Sequence, residues 1–161
     1  IIKINPAYGI PDVNKLIEEF KPKDKVLPRF VLSADNIPYD KLVNLYNQAH
    51  VLVAASRSDA FNLPCIEAMA CGLPVITTNF GGQTDFFNED NGWIVSGELT
   101  EVKHEIMYEG IKWLTPDIKE LKKAMRLAYN REHLKERTQN AINTSKNWTW
   151  DKTADKIKQL I

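Results

Sequence analysis

Apolar, β-branched runs alternate along this chain with stretches whose apolar residues recur at helical spacing. Ile1–Asn5, Arg29–Ser33, Val51–Ala55 and Val75–Thr78 predict short strands, with Trp93–Val95 a weaker one. Between them, Val13, Leu16, Ile17 and Phe20 mark one side of a helix, and Leu42, Leu45 and Tyr46 mark another over Tyr39–Ala49. Strands alternating with helices form βαβ units, so the expected fold class is α/β, a parallel sheet with helices on both faces. The run Val51-Leu52-Val53-Ala54-Ala55 does not alternate with polar residues, as suits a strand buried on both sides.

The second half changes character. Thr115-Pro116-Asp117 predicts a helix start, with Thr as N-cap, Pro in the first turn and an acid near the positive end of the dipole. Ile118–Tyr129, Glu132–Thr144 and Trp150–Ile161 then predict amphipathic helices. Gly97–Leu114 fits no single period and is expected to be irregular, with room for a short strand. No repeat, low-complexity tract or linker interrupts residues 1–161, so one domain is expected.

Composition narrows the classes. Lys+Arg and Asp+Glu are both 21, giving a net charge of +0. No basic excess exists to displace counterions, which argues against nucleic acid as a partner. The two cysteines, Cys65 and Cys71, lie roughly 9 Å apart if both are on one helix, too far for a disulfide. Free thiols suit a reducing compartment, and a cytoplasmic location is expected. No run has the ~18 apolar residues of a membrane helix. His50, His104 and His133 are scattered without metal-ligand spacing, so no metal is expected.

The chemistry concentrates in Ser58–Ile76. Strand Val51–Ala55 leads into the loop Ser58–Leu63, Pro64 fits the first turn of a helix, and Gly72 fits its C′ position. Ligands of open parallel sheets bind beyond the carboxyl ends of strands, so this loop lies at a binding edge. N–H groups around Asn62–Cys65 would face phosphates there. Asp59 precedes the helix and Glu67 sits one turn inside it. Taken singly, Asp59 could be a cap and Glu67 an exposed helix residue. But Glu67 is embedded in Ile66, Ala68, Met69 and Ala70, a packed context in which an acid needs a partner.

Asp59 and Glu67, followed by Ala68-Met69-Ala70-Cys71-Gly72-Leu73-Pro74-Val75-Ile76, resemble the signature of retaining GT-B glycosyltransferases of family 4 (group 1): two acids separated by seven residues, then this Ala- and Gly-containing run. Leu45–Val51, Gly81–Phe86, Asn91-Gly92-Trp93 and Asn147–Asp151 agree with it. The resemblance implies the C-terminal, donor-binding half of a GT-B fold, Rossmann-like, in a hexosyltransferase-type enzyme. It would take a nucleoside-diphosphate sugar as donor substrate, need no cofactor, and transfer the sugar with retention of configuration. It implies that Glu67 binds the ribose hydroxyls, that Asp59 lies near the donor sugar, and that the backbone of Ala60, Phe61, Asn62 and Leu63 approaches sugar and diphosphate. Asp85 falls where the family often has Glu.

Three departures accompany the match. Asp59 stands where the family has Glu, and Ala60 and Asn62 replace glycines. Asn tolerates positive φ, while Ala does so poorly. The family's first strand and its basic loop, and the acceptor-binding N-terminal domain, have no counterpart here, with Arg57 the nearest basic residue. The isolated chain is therefore expected to be inactive. Self-association of the fragment and peripheral membrane contact of the full-length protein are left open. The alternative is a non-catalytic module that binds nucleotide-sugar or another protein through a degraded site. Trp148 and Trp150 are expected to pack the last helix rather than form a sugar platform.

Overall fold

The computed structural model describes residues 1–3, 12–21, 23, 26, 29–33, 36–102 and 110–160. The chain divides into two compact units, Ile1–Leu42 and Val43–Ile161. In the first, β1 (Ile2–Lys3) pairs in parallel with β2 (Leu32–Ser33). Helix α1 (Val13–Phe20) is capped by Asp12, whose carboxylate accepts from Lys15 N–H at 2.9 Å. An uncapped helix start leaves donors unsatisfied, so this contact sets where α1 begins. The boundary between the units falls within helix α2 (Tyr39–Gln48), whose residues from Val43 on, Tyr46 included, belong to the second unit.

The second unit is built on three parallel strands, β3 (Leu52–Ala54), β4 (Val75–Thr78) and β5 (Trp93–Val95), in the order β3-β4-β5. Residues 75–77 of β4 pair with 52–54 of β3, and residues 76–78 with 93–95 of β5, so Ile76 lies between Val53 and Trp93. All four β4 residues are buried, which is why this strand reads as continuous Val-Ile-Thr-Thr without alternation. The two threonines keep buried hydroxyls satisfied: Thr77 Oγ1 donates to Ala54 O at 2.9 Å and Thr78 Oγ1 to Ser56 O at 2.8 Å.

Parallel strands need crossovers, and α3 (Leu63–Ala70) provides the one between β3 and β4. Its turn ends at Gly72, whose φ of +71° suits a residue without Cβ. Buried Cys65, Ile66, Ala68 and Met69 face the interior. After β5 come α4 (Ile118–Tyr129), α5 (Leu134–Ser145) and α6 (Trp150–Lys158). Ile76, Trp93, Val95 and Ala124 form a core cluster, edged by Leu121, Leu127 and Leu134.

Two expectations are corrected here. Residues 97–114 are not mainly irregular: β6 (Gly97–Glu101) and β7 (Lys112–Pro116) pair antiparallel, Gly97 opposite Pro116 through Glu101 opposite Lys112. Residues 103–109, with His104, lie outside the described residues. The helix start also shifts. Thr115 and Pro116 belong to the β7 ladder, where Thr115 Oγ1 meets Thr100 Oγ1 at 2.8 Å, so Asp117 is the N-cap of α4. Its carboxylate accepts from Lys119 N–H at 2.6 Å. Pro tolerates the end of a strand because no further ladder donor is asked of it.

Candidate functional site

The loop after β3 is organised by Asp59. Its Oδ1 accepts from Phe61 N–H at 3.0 Å and Asn62 N–H at 2.5 Å, a side-chain turn that folds the loop back on itself. Asn62 then takes the left-handed conformation, φ +67° and ψ 59°, and starts α3 without capping it through its side chain. Of the two residues standing in glycine positions, the one that needs positive φ is therefore the one that tolerates it; Ala60 is not among the positive-φ residues. The Asn62 side chain is buried, and its Nδ2 has no partner among the described residues.

Two further elements hold this loop. The Gly81-Gly82 turn passes so close that a Cβ on Gly82 would lie 1.9 Å from Ala60 O, and Gly82 N–H donates to Asp59 O at 3.0 Å. Gln83, fully buried, pins the turn by donating from Nε2 to Phe80 O at 2.6 Å and to Thr78 O at 3.2 Å. Phe61 joins an aromatic cluster with Phe86 and Trp148, ring centroids 5.2 and 5.8 Å away. Trp148 thus meets the loop on one side and Lys156 of α6 on the other, while Trp150, expected to pack the last helix, is 77% exposed. The Arg57 guanidinium lies over the Trp113 ring at 4.8 Å, and Arg57 O accepts from Leu114 N–H, so β7 braces the loop's approach.

Of the N–H groups expected to face phosphates, Asn62 N–H is spent on Asp59 and Cys65 N–H on Asn62 O. Pro64 has none. Leu63 N–H donates to nothing among the described residues and is the one left over at the start of α3.

Glu67 is half-buried on α3. Its Oε2 accepts from the Tyr46 hydroxyl of α2 at 2.8 Å, while Oε1 accepts no hydrogen bond among the described residues. Burial first, and then this bond to Glu67, push the Tyr46 phenol far above its ordinary value, so it stays a donor. Tyr46 was legible in sequence only as an apolar helical position. The signal that could have exposed its role is that a buried tyrosine hydroxyl usually has a partner. Cys65, buried on α3 two residues before Glu67, has its thiol pushed up to about 12 by burial. Cys71 is raised too, by burial and by Glu67 nearby, and both thiols are free.

Asp85 ends the 3-10 turn Gly82–Asp85 and is exposed. His50 is exposed before β3, and His133 starts α5. Among the described residues no three His, Cys, Asp or Glu side chains gather to hold a metal ion, and no helix is long and apolar enough to cross a membrane.

Known proteins resemble this chain in sequence and in fold. A stretch of 68 residues is 37% identical to the D-inositol 3-phosphate glycosyltransferase of Acidothermus cellulolyticus, 42% of this chain and 15% of that protein. An uncharacterized glycosyltransferase of Methanocaldococcus jannaschii is 27% identical over 146 residues, 91% of this chain and 36% of that one. Among solved structures, the sucrose-phosphate synthase of Thermosynechococcus elongatus superposes with a TM-score of 0.66 at 25% identity, covering 92% of this chain and 32% of its own. A chain of the GtfA/B complex gives 0.63 at 22% identity. These structural neighbours are GT-B glycosyltransferases, and the chain spans only 15% and 36% of the two curated relatives' lengths. The sequence profile described as "Glycosyl transferases group 1" matches residues 13–148, from α1 through the Asp59–Glu67 segment to Trp148, and the chain accordingly belongs to that family.

Proposed function

We propose that this chain is the donor-binding, C-terminal half of a retaining GT-B glycosyltransferase that takes a nucleoside-diphosphate sugar. Glu67 carries the reading: a half-buried carboxylate, one oxygen held by Tyr46 and the other unengaged, suits a pair of ribose hydroxyls. Asp59 shapes the loop that borders the sugar, and its second oxygen remains for a sugar hydroxyl. Leu63 N–H and the start of α3 offer a positive dipole end to the diphosphate. The acceptor and any acid or base from the other half come from outside this chain, so sugar transfer belongs to the two-domain enzyme. The free thiols accord with a reducing, cytoplasmic setting.

Calorimetric titration with UDP-, GDP- and ADP-sugars tests this. One of them should bind, and Glu67→Ala should weaken it at least tenfold while the variant keeps the parent's circular dichroism. Unchanged affinity would remove Glu67 from the site, and no binding of any donor would overturn the reading. Binding without turnover by the two-domain protein would instead support the non-catalytic module. That second reading is favoured by the spending of Asp59 Oδ1 on the loop's own amides.

A further inference from the structure

We infer that Tyr46 is a positioning residue that aligns the Glu67 carboxylate for a vicinal diol, and thereby sets the preference for ribo- over 2′-deoxyribonucleotides. This rests on the donor reading above. Three observations carry it. The Tyr46 hydroxyl donates to Oε2 at 2.8 Å across a sequence distance of 21 residues, so the fold and not the local chain brings the two side chains together. Tyr46 is 8% exposed, which holds its ring and with it the position of its hydroxyl oxygen. And Oε1 accepts nothing among the described residues, leaving one whole oxygen and part of the other for a ligand.

A free glutamate at the edge of a helix samples several rotamers, and a ligand that needs both carboxylate oxygens must select one of them. Tyr46 makes that selection in advance. An ionised carboxylate accepts several hydrogen bonds, so Oε2 can take one hydroxyl beside that of Tyr46 while Oε1 takes the other. The benefit falls on a ligand that presents two adjacent hydroxyls. A 2′-deoxyribose presents one, which a mobile carboxylate could follow almost as well. Loss of Tyr46 O–H should therefore penalise the diol more than the single hydroxyl. The bland role, a hydrogen bond that merely joins α2 to α3, would lower stability and weaken both ligands alike.

The test is calorimetric titration of the unaltered protein and of Tyr46→Phe with the nucleoside diphosphate of the preferred base and its 2′-deoxy form. Tyr46→Phe should bind the ribonucleotide about five- to tenfold more weakly and the deoxyribonucleotide less than twofold more weakly, so the ribo-to-deoxy ratio collapses. In a Glu67→Ala background the same change should alter neither affinity. An unchanged ratio, or equal weakening of both ligands, overturns the inference while leaving the donor reading intact. Absence of nucleotide binding by the unaltered protein removes both. Should Tyr46→Phe fail to fold, Glu67→Asp draws the carboxylate back from Tyr46 by one methylene. It should lose the ratio in the same way, and retention of the ratio there overturns the inference.

Discussion

Replacing Gly82 with Ala should destabilise the protein and weaken donor binding together, although Gly82 touches no residue assigned to the ligand by its side chain. The new Cβ would sit 1.9 Å from Ala60 O and 2.9 Å from Phe61 Cα. An ordinary C···O contact is about 3.3 Å or more, so the loop must retreat by over ~1 Å. Retreat strains the Gly82 N–H to Asp59 O bond of 3.0 Å, the two amides on Asp59 Oδ1, and the seat of Phe61 between Phe86 and Trp148. Losing one or two such hydrogen bonds at about 1 kcal/mol each, with overpacking at about 1–3 kcal/mol, gives a loss near 3 kcal/mol. For a chain of this size that lowers the thermal midpoint by about 6–12 °C. Gly82 does not have positive φ, unlike Gly81 at +101°, so alanine carries no backbone penalty and the loss measures close approach alone. Thermal unfolding and nucleotide titration on one sample read both effects. A variant that melts within about 2 °C of the parent and binds equally well would show that the turn does not hold the loop.

Two further outcomes concern the thiols. Cys71, partly exposed, should react with a thiol reagent in the native protein, whereas Cys65 should react only on unfolding; equal rates for both would contradict the burial of Cys65. Stability should fall as pH rises above 9.0, the ordinary thiol value, because the unfolded chain then releases the Cys65 proton that the native state keeps until about 12. Fewer protons bound in the unfolded state make the slope negative, at about 1.4 kcal/mol per pH unit for one group. Tyr46, also raised, adds to the fall above 10.0. Denaturation midpoints from pH 8 to pH 10.5 check this, and Cys65→Ala should flatten the slope between 9 and 10.

The sheet of the larger unit was legible because its strands are short runs of apolar residues and threonine without a charged residue among them. Val75–Thr78 and Trp93–Val95 stand where periodicity put them, as does α1. The β6–β7 hairpin was not, because its residues alternate poorly: even the directly paired Leu99 and Leu114 differ, the first exposed and the second buried. Asp117 displaced Thr115 as a cap because a ladder partner 17–19 residues upstream claims residues 115 and 116, a non-local fact that local capping rules do not see. At the site, Asp59 and Glu67 could be singled out by type and spacing. Their partners could not: Tyr46 reaches Glu67 from 21 positions away and Gly82 reaches Asp59 from 23, while Trp148 meets Phe61 of the same loop across 87.

The crossover from β3 to β4 has a kinetic meaning. Leu52 stands opposite Val75, so the first parallel ladder of the larger unit forms only when the chain between them closes. Asp59, Asn62 and Glu67 all lie inside that closing segment. Closure entropy is spent before the ladder returns anything, and the Asp59 turn and α3 shorten the effective loop that must close. Residues proposed for the ligand are therefore expected to form early in folding, and substitutions of Asp59 or Asn62 should slow refolding. Substitutions that retune ligand choice there would be filtered first by refolding rate, whereas α6, which has no buried residue, is free to vary without that toll.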